Sequence, residues 1–259
     1  MGSCSRVTTD RVTCSAWGDP HYRTFDGKRF NFQGNCKYVL SRGMDFKVSA
    51  RNVHRRGNTR VSFVDAVEFE LYGNLITITQ GKEVFINGVK WTLPICLGGL
   101  ASVTQQGNNI VIDTILCVTV TYDGSHRVTV ELPPHLAPTV GGLCGNANGI
   151  QGDDLVKPDL TPAVDPVEFG NSWVAHDDVS CPAVLASQQF DISQADQAFV
   201  QELESQQFCG HLQDTNSPFS ACFAAVAPGE YIDTCVYDMA ASGGTSDHSL
   251  MCENFENCS

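Results

Sequence analysis

A short polar run in the second half of the chain carries the side chains best suited to binding a metal ion. Asn146 and Asn148 can each offer a side-chain oxygen, and Ile150 can offer its backbone carbonyl. Asp153 and Asp154 add two carboxylates, and glycines within the run allow sharp turns. Oxygen ligands two residues apart, followed by carboxylates, are typical of a calcium loop. Such a mixed and flexible set favours calcium over magnesium, which requires a more rigid geometry.

The spacing alone leaves two interpretations of this run open. It does not match an EF-hand loop, which places glutamate at its twelfth position, because counting from Asn146 gives Lys157 there. A polar turn rich in asparagine, aspartate and glycine would have the same composition without binding an ion. A calcium loop and a plain polar turn therefore remain equal alternatives at this point.

The cysteine content indicates an oxidising compartment. Twelve cysteines are spread through 259 residues, and none forms a Cys-x-x-Cys pair or a zinc-type Cys/His block. Cytosolic proteins rarely carry so many thiols, so the even number predicts a framework of disulfides. The net charge of −13 excludes the basic surface that nucleic-acid binding requires. No stretch of about eighteen apolar residues predicts a membrane span, and the first residues lack the apolar core of a signal peptide.

Motifs of turnover enzymes are also absent from the sequence. It contains no Gly-x-Ser-x-Gly elbow, no phosphate-binding loop and no zinc signature. The seven histidines do not pair at the spacing of metal ligands. Trp17, Trp91 and Trp173 have apolar neighbours, so we expect them in the core and not in an exposed aromatic patch for binding a partner. The sequence therefore predicts a protein that is not a turnover enzyme.

The elements that would position the polar run are mainly β-strands. Between residues 14 and 135, segments with alternating apolar residues predict half-buried strands. The Asn87-Gly88 pair lies between two such segments, 84–86 and 89–91, and favours a tight type I′ hairpin. The remaining predicted strands are 46–50, 60–64, 67–71, 75–79, 110–112, 116–122 and 128–132, with a turn at Asp123-Gly124. Many short strands joined by turns predict an antiparallel β-sandwich.

The last third of the chain has the character of a small disulfide-stapled α-helical module. From 187 to 208, apolar residues recur every three to four positions, as an amphipathic helix requires. Shorter helices are predicted at 217–226, 231–241 and 247–258, and each carries cysteines. We therefore expect a leader or the end of a preceding module at 1–11, a β domain at 12–181 and the helical module at 182–259.

Several long motifs in order show a resemblance to the von Willebrand factor type D domain. The opening motif is Cys14-Ser-Ala-Trp-Gly-Asp-Pro-His-Tyr-Arg-Thr-Phe-Asp-Gly27, and the next runs from Phe32 to Leu40. The closing motifs are Gly142-Leu-Cys-Gly-Asn146 and Phe169-Gly-Asn-Ser-Trp173. Residues 182–259 resemble the eight-cysteine (C8) module that usually follows. They depart from it at Met239-Ala240, where a cysteine is usual, and they end before its last cysteines.

The resemblance implies a calcium site and two disulfides. The family's site combines the polar loop with an aspartate of the Thr-Phe-Asp-Gly motif, which adds Asp26 to the ligand set. The full set is then Asp26, Asn146, Asn148, the Ile150 carbonyl, Asp153 and Asp154, with Ca²⁺ as the cofactor. The implied disulfides are Cys14–Cys144 and Cys36–Cys181. We add Cys96–Cys117 as a further candidate, a local bridge. One ion and one disulfide would then join the same two regions of the chain.

Gly18-Asp19-Pro20-His21 resembles the site at which some members of the family cleave their own chain. The Asp19 carboxyl would attack its own backbone carbonyl to form a cyclic anhydride, and His21 would donate a proton to the departing proline nitrogen. Gly18 would permit a strained backbone beside the attack site. The alternative is structural: Asp19 caps a turn and His21 fills a polar position in the core.

Taken together, the resemblance implies a secreted, calcium-binding, disulfide-stabilised structural or adhesion module of a mucus, matrix or egg-coat-type glycoprotein. Its partners would be other extracellular modules of the same or like proteins. One alternative is a specific glycoprotein- or immunoglobulin-binding module. The other is an enzyme, since luciferase-like proteins contain related domains.

Overall fold

The computed structural model describes residues 11–18, 20–55, 58–175, 181–185, 189–217, 220 and 228–243. They fall in two compact units, drawn from the described parts of 1–54 and 62–186 in one and of 55–61 and 187–259 in the other. Within these ranges, every helix is too short or too polar to cross a membrane.

The β-strands of the described residues form two antiparallel sheets. The strands are β1 (Val12–Trp17), β2 (His21–Arg23), β3 (Arg29–Asn31), β4 (Lys37–Arg42), β5 (Phe46–Arg55), β6 (Asn58–Leu71), β7 (Asn74–Thr79), β8 (Val84–Ile86), β9 (Val89–Trp91), β10 (Ile95–Leu97), β11 (Ala101–Gln106), β12 (Asn109–Thr114), β13 (Thr119–Tyr122) and β14 (Val128–Leu132). The larger sheet has the order β10-β11-β12-β13-β14-β1-β2-β3, and the smaller has the order β4-β5-β6-β7-β8-β9. The predicted fold class, mainly β and antiparallel, is confirmed.

Alternation of apolar and polar residues explains why these segments are strands. In β7 the side chains of Ile76 and Ile78 are fully buried while their neighbours are partly exposed. The predicted hairpin is present between β8 and β9, and both Asn87 (φ 50°) and Gly88 (φ 79°) have the positive φ that a type I′ turn requires.

Two strand predictions were wrong at their boundaries. The segments 60–64 and 67–71 belong to one continuous strand, β6 (Asn58–Leu71). The strand predicted at 116–122 begins only at Thr119, because Cys117 has a φ of 60° in the turn before it. A left-handed backbone of this kind does not fit a β-ladder.

Side chains from both sheets share one hydrophobic core. The hydroxyl of Tyr122 in the larger sheet donates a hydrogen bond to the carbonyl of Val64 in the smaller sheet, at 3.1 Å. Helix α1 (Pro166–Ser172) packs onto this core through Phe169, which is fully buried. Its first turn is capped by the Asp165 carboxylate, which accepts from the backbone N–H of Glu168 at 2.8 Å. The end of the β domain is therefore held against its sheets.

The described residues of the second unit form two α-helices around a small core. They are α2 (Gln197–Leu203) and α3 (Gly229–Ser242), with 3₁₀ turns at Ile192–Gln194 and Cys209–Gln213. A disulfide joins Cys209 to Cys235 of α3. The helix predicted at 231–241 is confirmed as part of α3. The predictions at 217–226 and 247–258 lie largely or wholly outside the described residues.

The helix predicted at 187–208 was wrong in its length. Asp191 accepts a hydrogen bond from the Ser193 N–H, and Asp196 accepts one from the Ala198 N–H. Each aspartate therefore starts a new short helix, and Ala195 between them has extended backbone. The spacing of apolar residues gives no information about such capping by polar side chains.

Candidate functional site

The N-terminal strand region and the loop after Cys144 are joined covalently and by hydrogen bonding. Cys14 of β1 and Cys144 form a disulfide with a Cα–Cα distance of 5.5 Å. The backbone N–H of Phe25 donates to the carbonyl of Cys144 at 2.9 Å. Cys36 and Cys181 form a second disulfide with a Cα–Cα distance of 5.7 Å. Both pairs implied by the resemblance are thus present in the structure.

The local bridge between Cys96 and Cys117 was a wrong prediction. Cys96 is a free, exposed cysteine, while Cys117 is itself disulfide-bonded. Cys96 lies on the edge strand β10, where it is paired with Ser102 of β11, and β11 separates it from β12 and the turn that follows. Adjacent strands are about 4.8 Å apart, so two strand spacings exceed the usual Cα separation of a disulfide.

Asp26 lies against the polar loop although 122 residues separate it from Asn148. Its two carboxylate oxygens accept the backbone N–H groups of Asn148 and Gly149, each at 3.0 Å. Asp26 occupies the turn that follows β2, whose strand pairs with β1. The strand pairing and the Cys14–Cys144 bridge therefore place this carboxylate beside the loop.

Within the loop, the polar side chains are arranged around the Asp153 carboxylate. Asp153 accepts from the amide group of Asn146 at 3.1 Å and from that of Asn148 at 2.9 Å. The amide oxygens of these two asparagines accept backbone N–H groups two residues further on, from Asn148 at 3.2 Å and Ile150 at 2.7 Å. The Ile150 carbonyl accepts the Asp153 N–H at 3.3 Å. The sequence-predicted ligands are thus in mutual contact.

Asp154 is the buried member of the set, with 1% of its surface exposed. The Thr24 hydroxyl donates to its carboxylate at 2.6 Å, and the backbone N–H of Asn146 donates at 3.3 Å. Gly145 has a φ of 80°, and a Cβ at that position would overlap the Asp154 carboxylate. A glycine is therefore required both by the backbone and by the space that Asp154 occupies.

Burial raises the pKa of Asp154 to about 6, because the charged form loses hydration. The hydrogen bond from Thr24 opposes this shift, and the negative charges of Asp26 and Asp153 add to it. The two neighbouring carboxylates therefore disfavour the charged form of Asp154. A bound cation would relieve that repulsion.

The donor set is made entirely of oxygen atoms, which suits a hard cation such as Ca²⁺. Among the described residues, no three Asp, Glu, His or Cys side chains form a cluster that would hold a metal by themselves. The amide and carbonyl oxygens of the loop would have to complete the coordination, as the predicted ligand set also requires. Sequence reasoning missed Thr24 and Gly145, although Thr24 belongs to the same Thr-Phe-Asp-Gly motif as Asp26.

The second motif, Gly18-Asp19-Pro20-His21, is described except for Asp19, which lies outside the described residues. Gly18 has a φ of 62°, and Pro20 is buried. His21 begins β2 and is 6% exposed. Its Nδ1 lies 2.8 Å from the side-chain oxygen of Asn31. The candidate proton donor is thus held at a defined position inside the domain.

All three tryptophans were expected in the core, and for Trp91 this prediction was wrong. It is 50% exposed at the end of the edge strand β9, and Val89 on the same strand is 62% exposed. Trp173 is 5% exposed and Trp17 is partly buried. A three-residue edge strand has one neighbour, so its alternation does not guarantee burial of either face.

Two family profiles and several curated proteins match this chain. The profile of the von Willebrand factor type D domain matches residues 14–161, and that of the C8 domain matches residues 208–259. The IgGFc-binding protein of Homo sapiens is 33% identical over 262 residues, which cover 94% of this chain and 5% of that protein. Alpha-tectorin of Homo sapiens is 34% identical over 261 residues, with 96% and 12% covered. Zonadhesin of Sus scrofa is 33% identical over 255 residues, with 95% and 10% covered.

The chain therefore spans between 5% and 12% of the length of these three relatives. The order of the two matched domains agrees with the predicted order of modules, and the recognition made from the sequence motifs is confirmed.

Proposed function

The chain belongs to the von Willebrand factor type D domain family, and we propose that it is a secreted structural or adhesion module held together by disulfides and calcium. It would act within a larger extracellular glycoprotein of the mucus, matrix or egg-coat type, with other extracellular modules as partners. The disulfides Cys14–Cys144, Cys36–Cys181 and Cys209–Cys235 support an oxidising compartment.

The observation that carries the calcium proposal is the contact between Asp26 and the polar loop. An ordinary polar turn satisfies its own backbone and does not need a carboxylate from 122 residues away. Here Asp26, Asp153 and Asp154 converge on a stretch that also offers two amide oxygens and a carbonyl. This is a concentration of oxygen ligands and negative charge that favours Ca²⁺.

The residues that would hold the ion are Asp26, Asn146, Asn148, the Ile150 carbonyl, Asp153 and Asp154. When bound, the ion supplies positive charge that neutralises the three carboxylates and ties the β2 region to the loop. Thr24 and the backbone N–H of Asn146 hold the buried carboxylate in place. Binding only to the folded state would add stability, by about 2.7 kcal/mol at a calcium concentration 100 times the dissociation constant.

Thermal unfolding in calcium, magnesium and chelator tests this proposal. We expect calcium to raise the melting temperature by roughly 5–10 °C, since 1 kcal/mol corresponds to about 2–4 °C in a domain of this size. Asp26→Asn should abolish most of that rise. Asp45→Asn makes the same charge change at an exposed turn residue and should retain it. Equal melting temperatures in calcium and chelator would show that the loop is a polar turn.

A second activity, self-cleavage of the Asp19–Pro20 bond, is favoured by the environment of His21. A buried ring held by a hydrogen bond is suited to delivering a proton at a fixed place. Because Cys14 lies before the bond and Cys144 after it, the disulfide would keep the two pieces joined.

Electrophoresis of the purified chain with and without reductant tests the cleavage. We expect one species without reductant and, with reductant, a fragment whose N-terminal residue is Pro20. His21→Gln should remain uncut, whereas His135→Gln, at an exposed position, should be cut like the wild type. A wild-type chain that stays intact between pH 5 and 8 would assign the motif a structural role only.

A further inference from the structure

His21 stands in the middle of a row of three side chains that crosses three adjacent strands. In the sheet register, His21 of β2 is opposite Trp17 of β1 on one side and Asn31 of β3 on the other. The rings of Trp17 and His21 have centroids 5.9 Å apart at an angle of 36°. Asn31 approaches the His21 Nδ1 to 2.8 Å with its side-chain oxygen. The ring is therefore packed from one strand and hydrogen-bonded from the other.

The identity of the atom on Asn31 determines the tautomer of His21. A carbonyl oxygen has no hydrogen to donate, so the contact requires a proton on Nδ1. With Nδ1 protonated, the neutral ring has no proton on Nε2, and Nε2–H exists only in the doubly protonated imidazolium. The proton available for transfer is then the one on Nε2.

We propose that Asn31 is a positioning residue for self-cleavage, which orients His21 and directs its transferable proton to Nε2. This inference rests on the proposed self-cleavage and extends it to a residue outside the Gly-Asp-Pro-His motif. It follows from the cross-strand pairing of β2 and β3, which places residues ten positions apart side by side.

The step balances without any co-reactant except water. An Asp19 carboxylate oxygen bonds to the main-chain carbonyl carbon of the same residue, and the bond from that carbon to the Pro20 nitrogen breaks. The Pro20 nitrogen takes the Nε2 proton of His21 and leaves as a secondary amine. Water then opens the cyclic anhydride to two carboxyl groups, and solvent returns a proton to His21. Throughout, Nδ1–H remains bonded to Asn31.

Substitutions of Asn31 test the role of its oxygen. Asn31→Leu retains the approximate size but cannot accept a hydrogen bond, and we expect cleavage to slow by at least about tenfold. Asn31→Asp retains an acceptor and adds a negative charge that favours the imidazolium, so the pH of half-maximal cleavage should rise by about one unit. Thr119→Val is the matched control, since it removes another cross-strand contact in the same sheet, to Asp113 at 2.9 Å. It should be cut at the wild-type rate.

Cleavage would be followed on reducing gels in freshly synthesised full-length chain between pH 5 and 8, with circular dichroism to verify folding. Nitrogen-15 NMR of the chain, with His21 assigned from a His21→Gln variant, reports the tautomer directly. We expect a proton on Nδ1 in the neutral ring, and a mixture of tautomers in Asn31→Leu.

Three results distinguish the inference from the activity on which it rests. A folded Asn31→Leu chain that is cut at the wild-type rate would overturn the positioning role. So would a neutral His21 protonated on Nε2 alone, which would mean that the Asn31 amide group faces the ring. If the wild type is never cut, self-cleavage fails, and the NMR result still decides whether Asn31 sets the tautomer.

Discussion

Removal of the Cys14–Cys144 disulfide should lower the free energy of unfolding by about 4 kcal/mol. The bridge spans 130 residues, but in the unfolded chain the Cys36–Cys181 bridge shortens that path. Cys14 is 22 residues from Cys36, and Cys144 is 37 residues from Cys181, so the loop that the bridge closes has about 60 residues. The entropy of closing such a loop corresponds to about 4 kcal/mol at 25 °C.

The perturbation is the double variant Cys14→Ala with Cys144→Ala, measured by urea unfolding under non-reducing conditions in chelator. Alanine is preferable to serine because Cys14 and Cys144 are 2% and 0% exposed, and a buried hydroxyl would add its own cost. The melting temperature should fall by roughly 8–16 °C. Cys96→Ala removes a free, exposed thiol and serves as the control, with an expected change within about 0.5 kcal/mol.

A loss below about 1 kcal/mol in the double variant would refute the loop-entropy reasoning. It would mean that the β1 region and the Cys144 loop stay associated in the unfolded chain by other contacts. A loss well above about 5 kcal/mol would show that the bridge also maintains native packing, which the entropy calculation leaves out.

Three further predictions concern single positions. Gly170→Ala should lower the free energy of unfolding in urea by about 1–3 kcal/mol, because its Cβ would lie 2.5 Å from the buried Phe32 ring. An unchanged midpoint of urea unfolding would contradict this close contact. Burial raises the pKa of Asp154 from an ordinary value of 3.8 to about 6, so the folded state binds this proton more tightly than the unfolded state. The free energy of unfolding, measured in chelator, should therefore fall by roughly 1–2 kcal/mol as the pH rises from about 4 to about 6. Asp154→Asn should lack this slope, and parallel pH profiles for the variant and the wild type would refute the prediction. Trp91→Ser should lower the free energy of unfolding by about 1–2 kcal/mol, since only half of the side chain is buried, whereas a loss above about 3 kcal/mol would show that it is fully packed.

Local chemistry explains how much of this protein was predictable from its sequence. Alternation placed β7 and β14, and the preference of Asn87-Gly88 for positive φ placed the hairpin between β8 and β9. The spacing of oxygen-bearing residues identifies the polar loop at 146–154 from a single short segment of sequence. These signals lie within a few residues of one another, so the conformation of a short segment is sufficient to produce them.

Recognition of the family motifs added predictions between distant residues: Asp26 with the polar loop, and the pairs Cys14–Cys144 and Cys36–Cys181. Spacing alone would not have connected Asp26 to a loop 122 residues later. The prediction of Cys96–Cys117 failed where neither the motifs nor local spacing applied, because strand order decides which cysteines lie within bonding distance.

The tertiary structure alone decided the features that depend on neighbours distant in the sequence. Asp153 is exposed and Asp154 is buried although they are adjacent, because Gly145 and Thr24 enclose only the second carboxylate. Asn31 reaches His21 only because β2 and β3 pair in one register. Burial and cross-strand contact are properties of assembled sheets, so no pattern within a single strand can encode which carboxylate loses its water or which amide holds a histidine.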